Sequence, residues 1–122
     1  MKDSKTTVEQ LRNKIDRFRK ARNWNPSSKG LAISIVLESV ELLENFQWDD
    51  YKKWIDADKV RQELADVIIY CLEFANANEI DISQVVEEKL KMNAKKFPAK
   101  LMKNDDGQKY YARKKASRQN VG

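Results

Sequence analysis

Between Leu31 and Trp48 the chain reads LAISIVLESVELLENFQW, a helical stretch apolar on nearly every side that still carries Glu38 and Glu41. A helix that is hydrophobic all round is ordinarily a buried one. An ionised carboxylate is costly to bury unless a cation or hydrogen-bond donors compensate it. The two acids stand three residues apart, so they leave the same side of the helix, about 60° apart around its axis. No Arg or Lys lies within the stretch to neutralise them. Further on, VRQELADVIIYCLEF gives a second apolar helix with a second acidic pair, Glu63 and Asp66. Any fold of this chain must therefore find counter-charge for four carboxylates on two apolar helices. Such a pair of helices has the makings of the walls of a divalent-cation site.

The remainder also reads as helix. Val8, Leu11, Ile15 and Phe18 keep helical spacing within Thr6–Arg22, and Thr6 with Glu9 fits a capping box. Residues 23–30 form a connector, with Asn-Pro and paired serines as turn and helix-start signals. After Trp48, DDYKKWIDAD is a loop or a turn or two of helix, and Asp56 or Asp58 can cap a third helix running to about Asn78. Asp81 with Gln84 fits another capping box, opening a fourth helix from Ile82 to about Lys96 that Phe97-Pro98 stops. The expected fold is all-α, an antiparallel four-helix bundle over residues 1–98. Residues 99–122 hold seven basic and two acidic side chains, so the whole net charge of +5 belongs to them, while the first 98 residues balance. With few apolar residues and a turn signal at Asp106-Gly107, this segment is expected to be a basic arm, partly ordered with a disordered end.

Several chemistries are excluded by what is missing. The chain contains no His, which removes Ser-His-Asp and Cys-His catalysis and the Glu-x-x-His di-iron bundle. The single cysteine, Cys71, rules out an intrachain disulfide, argues against structural zinc, and fits a reducing compartment; it reads as a small buried thiol. The N-terminus lacks an apolar signal core, and no uncharged apolar run approaches about 18 residues. The expectation is a cytoplasmic chain with no membrane span.

Glu38-x-x-Glu41 followed by Glu63-x-x-Asp66 resembles the E-x-x-E…E-x-x-D signature of the MazG-like, all-α nucleotide pyrophosphohydrolases. ELLENFQW at 41–48, ELADVIIY at 63–70, Ile80-Asp81-Ile82 and KLKMNAKKFP at 89–98 resemble family segments in the family order, so the likeness covers roughly residues 8–111. It implies a magnesium-dependent hydrolase, with manganese as a possible substitute. Glu38, Glu41, Glu63 and Asp66 would be its catalytic metal ligands, and one of them, or an outer carboxylate such as Glu44, would orient water. The implied reaction takes a nucleoside triphosphate to its monophosphate and pyrophosphate, a nucleotide-pool house-cleaning activity. Magnesium suits this role because it prefers oxygen ligands and binds through carboxylates together with substrate phosphates.

The same resemblance suggests substrate contacts. Lys89, Asn93 and Lys96 share one face of the fourth helix and match the family's K-x-x-x-N-x-x-K run. Gly107 and Lys109-Tyr110 resemble a family tail element. Trp24, Trp48 and Tyr70 are candidates for stacking on the base. Trp24 and Trp48 match tryptophans of the deoxycytidine-triphosphate branch, but that branch's connector His has no counterpart in NPSSKG. Trp54 reads as packing, and Glu73, Glu87 and Glu88 as surface carboxylates in helical ion pairs. The chain is expected to assemble as a homo-oligomer, dimer or tetramer, because four helices alone leave apolar surface uncovered. The alternatives are a sister activity on dUTP or phosphoribosyl-ATP, or a non-catalytic nucleic-acid-binding module suggested by ARKKASR in the tail.

Overall fold

The computed structural model describes residues 1–103 and 107–119, and every regular element among them is helical. The elements are α1 (Val8–Lys20), α2 (Ser28–Glu44), a 3-10 turn (Tyr51–Lys53), α3 (Ala57–Ala77), α4 (Ile82–Lys96), α5 (Ala99–Met102) and α6 (Gln108–Gln119). The fold is all-α, as expected. Contacts group the chain into two units, Met1–Ile82 and Ser83–Gly122. Composition marks a boundary of charge after Pro98, whereas packing divides the chain near the start of α4.

Local chemistry sets the ends of the helices. The capping box of α1 is Thr7 with Gln10 rather than Thr6 with Glu9: the Thr7 hydroxyl accepts from the Gln10 N–H at 3.1 Å, and the Gln10 side chain accepts from the Thr7 N–H at 2.8 Å. Ser27 caps α2, accepting from the Gly30 N–H at 3.0 Å, so this helix starts in a polar turn ahead of its apolar run. It ends at Glu44, short of Trp48, because the Asn45 side chain turns back to the Glu41 and Leu42 carbonyls. Of the two candidates, Asp56 caps α3, accepting from the Asp58 and Lys59 N–H groups. Beyond α1, Asn23 takes a left-handed φ of 54°, which lets the Trp24 N–H bond back to the Arg19 carbonyl at 3.2 Å.

Within the first unit α3 packs against both α1 and α2. It runs antiparallel to α2: Ser28 meets Asn78 at one end, and Asn45 meets Glu63 at the other. On the other side, Arg12 donates to Asn76 at 2.9 Å. The apolar core is small, consisting of Ile15, Leu31, Leu72 and Ala75. Although α2 is apolar on nearly every side, only Leu31 is fully buried; Ile33, Val36, Leu37, Val40 and Leu43 are exposed. A helix flanked by one strongly packed neighbour has no second surface to bury the rest. Trp54, expected to pack, is 75% exposed, and Cys71 is half-buried.

In the second unit the Phe97 and Tyr110 rings stack at 4.8 Å, and the Arg113 Nε–H donates to the Lys96 carbonyl. Two helices, α5 and α6, therefore lie in the segment expected to be a partly ordered arm. Gly107 takes φ 101°, a conformation open to glycine at little cost, while Asp106 and residues 120–122 lie outside the described residues. No helix of the described residues is long and apolar enough to cross a membrane.

Candidate functional site

Antiparallel packing of α2 on α3 brings the two acidic pairs together. Glu38 is half-buried, and one of its carboxylate oxygens is shut away from solvent with no hydrogen-bond partner. Its proton affinity is raised, first by burial, then by a side-chain hydrogen bond with Glu41, and then by the negative charges of Glu41, Asp66 and Glu63. The constellation is thus an acidic wall short of positive charge. Its donors are all oxygen, the set a hard divalent cation prefers, and the unpartnered Glu38 oxygen is a ready ligand. The wall is not closed: among the described residues no three acids stand in metal-enclosing geometry. Glu63 is buried and held by the Asn45 side chain, with Lys59 Nζ at 3.8 Å, whereas Glu41 and Asp66 are exposed.

Beside this wall opens an apolar groove of about 1170 Å³. Ile15 and Phe18 line it from α1, Trp24 and Pro26 from the connector, Leu31 and Ser34 from α2, and Leu64, Asp66, Ile69, Tyr70 and Glu73 from α3. Asp66 is shared by wall and groove. Tyr70 sits between Glu38, Asp66 and Glu73: burial first, and then those three charges, push its phenol above the ordinary range, while a hydrogen bond with Ser34 acts in the opposite direction. Trp24 packs its ring edge against Phe18 at 5.9 Å.

The remaining residues singled out in the sequence lie on other elements. Trp48 is exposed beyond α2 and does not line the groove. Lys89, Asn93 and Lys96 lie on α4 in the second unit, where Lys96 Nζ sits 5.3 Å over the Phe97 ring. Glu87 pairs with Lys91 at 3.4 Å on an exposed face, as read from the sequence. Glu73 does not fit that reading. It is buried against Arg19 of α1, and only its register with Asp66 and Tyr70 on one stripe of α3 hinted at this.

A family model described as MazG-like matches residues 33–112. The chain is 28% identical over 107 residues to dCTP pyrophosphatase 1 of Bos taurus and to that of Homo sapiens. Each match covers 80% of this chain, which spans only 63% of the length of those curated relatives. A crystal structure of a pyrophosphatase from Archaeoglobus fulgidus superposes with a TM-score of 0.69 at 35% identity, covering 75% of this chain and 92% of that one.

Proposed function

This chain belongs to the MazG-like family, and on that footing we propose that it is a nucleoside triphosphate pyrophosphohydrolase, releasing a nucleoside monophosphate and pyrophosphate. The observation that carries the proposal is the Glu38 carboxylate, which faces Glu41, Glu63 and Asp66 with a buried oxygen that no described residue bonds. Glu38, Glu41, Glu63 and Asp66 would hold magnesium, or manganese in its place. When bound, such an ion neutralises phosphate charge and makes water nucleophilic near neutral pH. The chain's own residues do the positioning. Asn45 and Lys59 fix the Glu63 carboxylate, and the apolar groove takes the nucleoside away from water. Trp24 and Tyr70 both line that groove and offer aromatic faces to a base.

The curated relatives are pyrophosphatases of dCTP by name, so dCTP heads the substrate panel, with dUTP and phosphoribosyl-ATP as the sister candidates. The exposed apolar face of α2 supports assembly with further copies of the chain, as a dimer or a tetramer with two-fold axes. A single thiol suits work in the reducing cytoplasm.

Hydrolysis in ¹⁸O-labelled water tests the reaction. Attack at the α-phosphorus places the label in the monophosphate. Label in pyrophosphate, or products that are a diphosphate and free phosphate, would contradict the assignment.

A further inference from the structure

Arg19 of α1 and Glu73 of α3 form a buried pair that the acidic wall does not use. Each side chain is 9% exposed, and the Arg19 Nε stands 3.8 Å from Glu73 Oε1. That is a charge contact too long for a hydrogen bond, and the buried Nε–H has no partner. The other arm of the guanidinium is committed, since Nη2 donates to the Trp24 carbonyl at 3.3 Å. Glu73 accepts a hydrogen bond from no described residue, yet it lines the groove while Arg19 stands behind it. Burying two charges is costly, and a pair serving stability alone would close into the short, forked contact that Arg and carboxylate prefer. This pair stays open, with unused acceptor capacity on the side of the groove.

Its position gives that capacity a use. Glu73 follows Asp66 by seven residues and Tyr70 by three on the same face of α3, so it lies about 10 Å along the helix from the acidic wall. A nucleotide with its α-phosphate at the wall and its base between Trp24 and Tyr70 would bring the far edge of that base to Glu73. Arg19 anchors both sides of this slot, through the Trp24 carbonyl and through Glu73.

We infer that Glu73 reads the base, accepting a hydrogen bond from an exocyclic amino group, so that the groove selects amino-bearing over keto-bearing bases, with Arg19 as its positioning residue. A keto oxygen in the same place would set two acceptors against each other and leave a buried carboxylate unbonded, the arrangement that rejects an analogue most strongly. Burial pushes the Glu73 pKa up, and the Arg19 charge acts in the opposite direction. The inference rests on the nucleotide reading above, so its test does not depend on turnover.

Equilibrium binding of dCMP and dUMP, and of dAMP and dIMP, followed by tryptophan fluorescence and by calorimetry, compares matched pairs that differ in an amino or a keto group. The wild type is expected to bind the amino member at least about tenfold more tightly. In Glu73→Gln, whose amide can offer N–H to a keto edge, the ratio falls to near one or inverts. Arg19→Lys, which keeps the charge and loses the fork, narrows it. Should Glu73→Gln fail to fold, Glu73→Asp retains the charge and withdraws it by one methylene, and the ratio falls there. A ratio unchanged by these substitutions, or an equal loss of binding for both members of each pair, would overturn the inference whether or not triphosphates are hydrolysed. So would a wild type that binds none of these nucleotides.

Discussion

Replacing Glu38 by Gln should stabilise the protein without divalent ions and abolish its stabilisation by them. The substitution keeps the size of the side chain and removes one charge from a wall where Glu38 faces Glu41, Glu63 and Asp66. At the helical-neighbour spacing of about 6 Å expected for Glu38 and Glu41, unit charges repel by about 0.7 kcal/mol in water-like surroundings. Glu63 and Asp66 across the α2–α3 seam add to this, and salt and the nearby Lys59 take from it, which leaves about 1 kcal/mol. For a chain of this size that is a rise in Tm of about 3–5 °C. With magnesium at about a hundred times its Kd, the wild type gains about 2.7 kcal/mol, and Glu38→Gln gains little. The assay is thermal unfolding by circular dichroism at one protein concentration, in chelator and then in magnesium. A variant that melts lower than the wild type in chelator, or that magnesium stabilises equally, would refute the view of the wall as a cation site.

Other outcomes follow from the same geometry. Leu31 is the fully buried side chain of α2, so Leu31→Ala should cost about 2–5 kcal/mol in denaturant unfolding; a loss well under that would mean the α2–α3 seam is not the core. Burial raises the Glu73 carboxyl above its ordinary 4.5, so the folded chain holds this proton more tightly than the unfolded one. Its stabilising contribution is therefore present below about pH 4.5 and is lost as the pH rises through the raised value; Glu73→Gln removes that slope, and a Tm–pH series above pH 4.5 that the substitution leaves unchanged would contradict it. Val36 and Val40 are 61% and 46% exposed on α2, and placing Asp at both should move the sedimentation mass from an assembly towards a single chain. A wild type that already sediments as a single chain would end the oligomer proposal.

What could be read from the sequence was what helical spacing fixes locally. The all-α fold, the order of the helices and the pairing of acids three residues apart all follow from periodicity. The errors arose where two readings share one period. Thr6–Glu9 and Thr7–Gln10 both fit a capping box, and the structure takes the second, with Thr7 extended at the N-cap. In α2 the polar first turn hid the true start, and the aromatic spacing of Phe46 and Trp48 ran on past an end that Asn45 sets. Glu73 was misread for a different reason. On its own helix it resembles any solvated acid, and its partner Arg19 comes from α1, a contact that no local period encodes. The hold of Asn45 and Lys59 on Glu63 was likewise invisible until α2 and α3 were laid side by side.

The central claim is that the carboxylate wall catalyses hydrolysis of a nucleoside triphosphate with a divalent ion. The direct measurement is pyrophosphate release from a nucleotide panel headed by dCTP, with and without magnesium, by the wild type and by Glu41→Gln. Glu41 is exposed, so its substitution removes one charge of the wall and leaves the core intact. Magnesium-dependent release of pyrophosphate by the wild type, lost in a folded Glu41→Gln, is the predicted result. Release that persists in the variant, or no release from any nucleotide by the wild type, would contradict it.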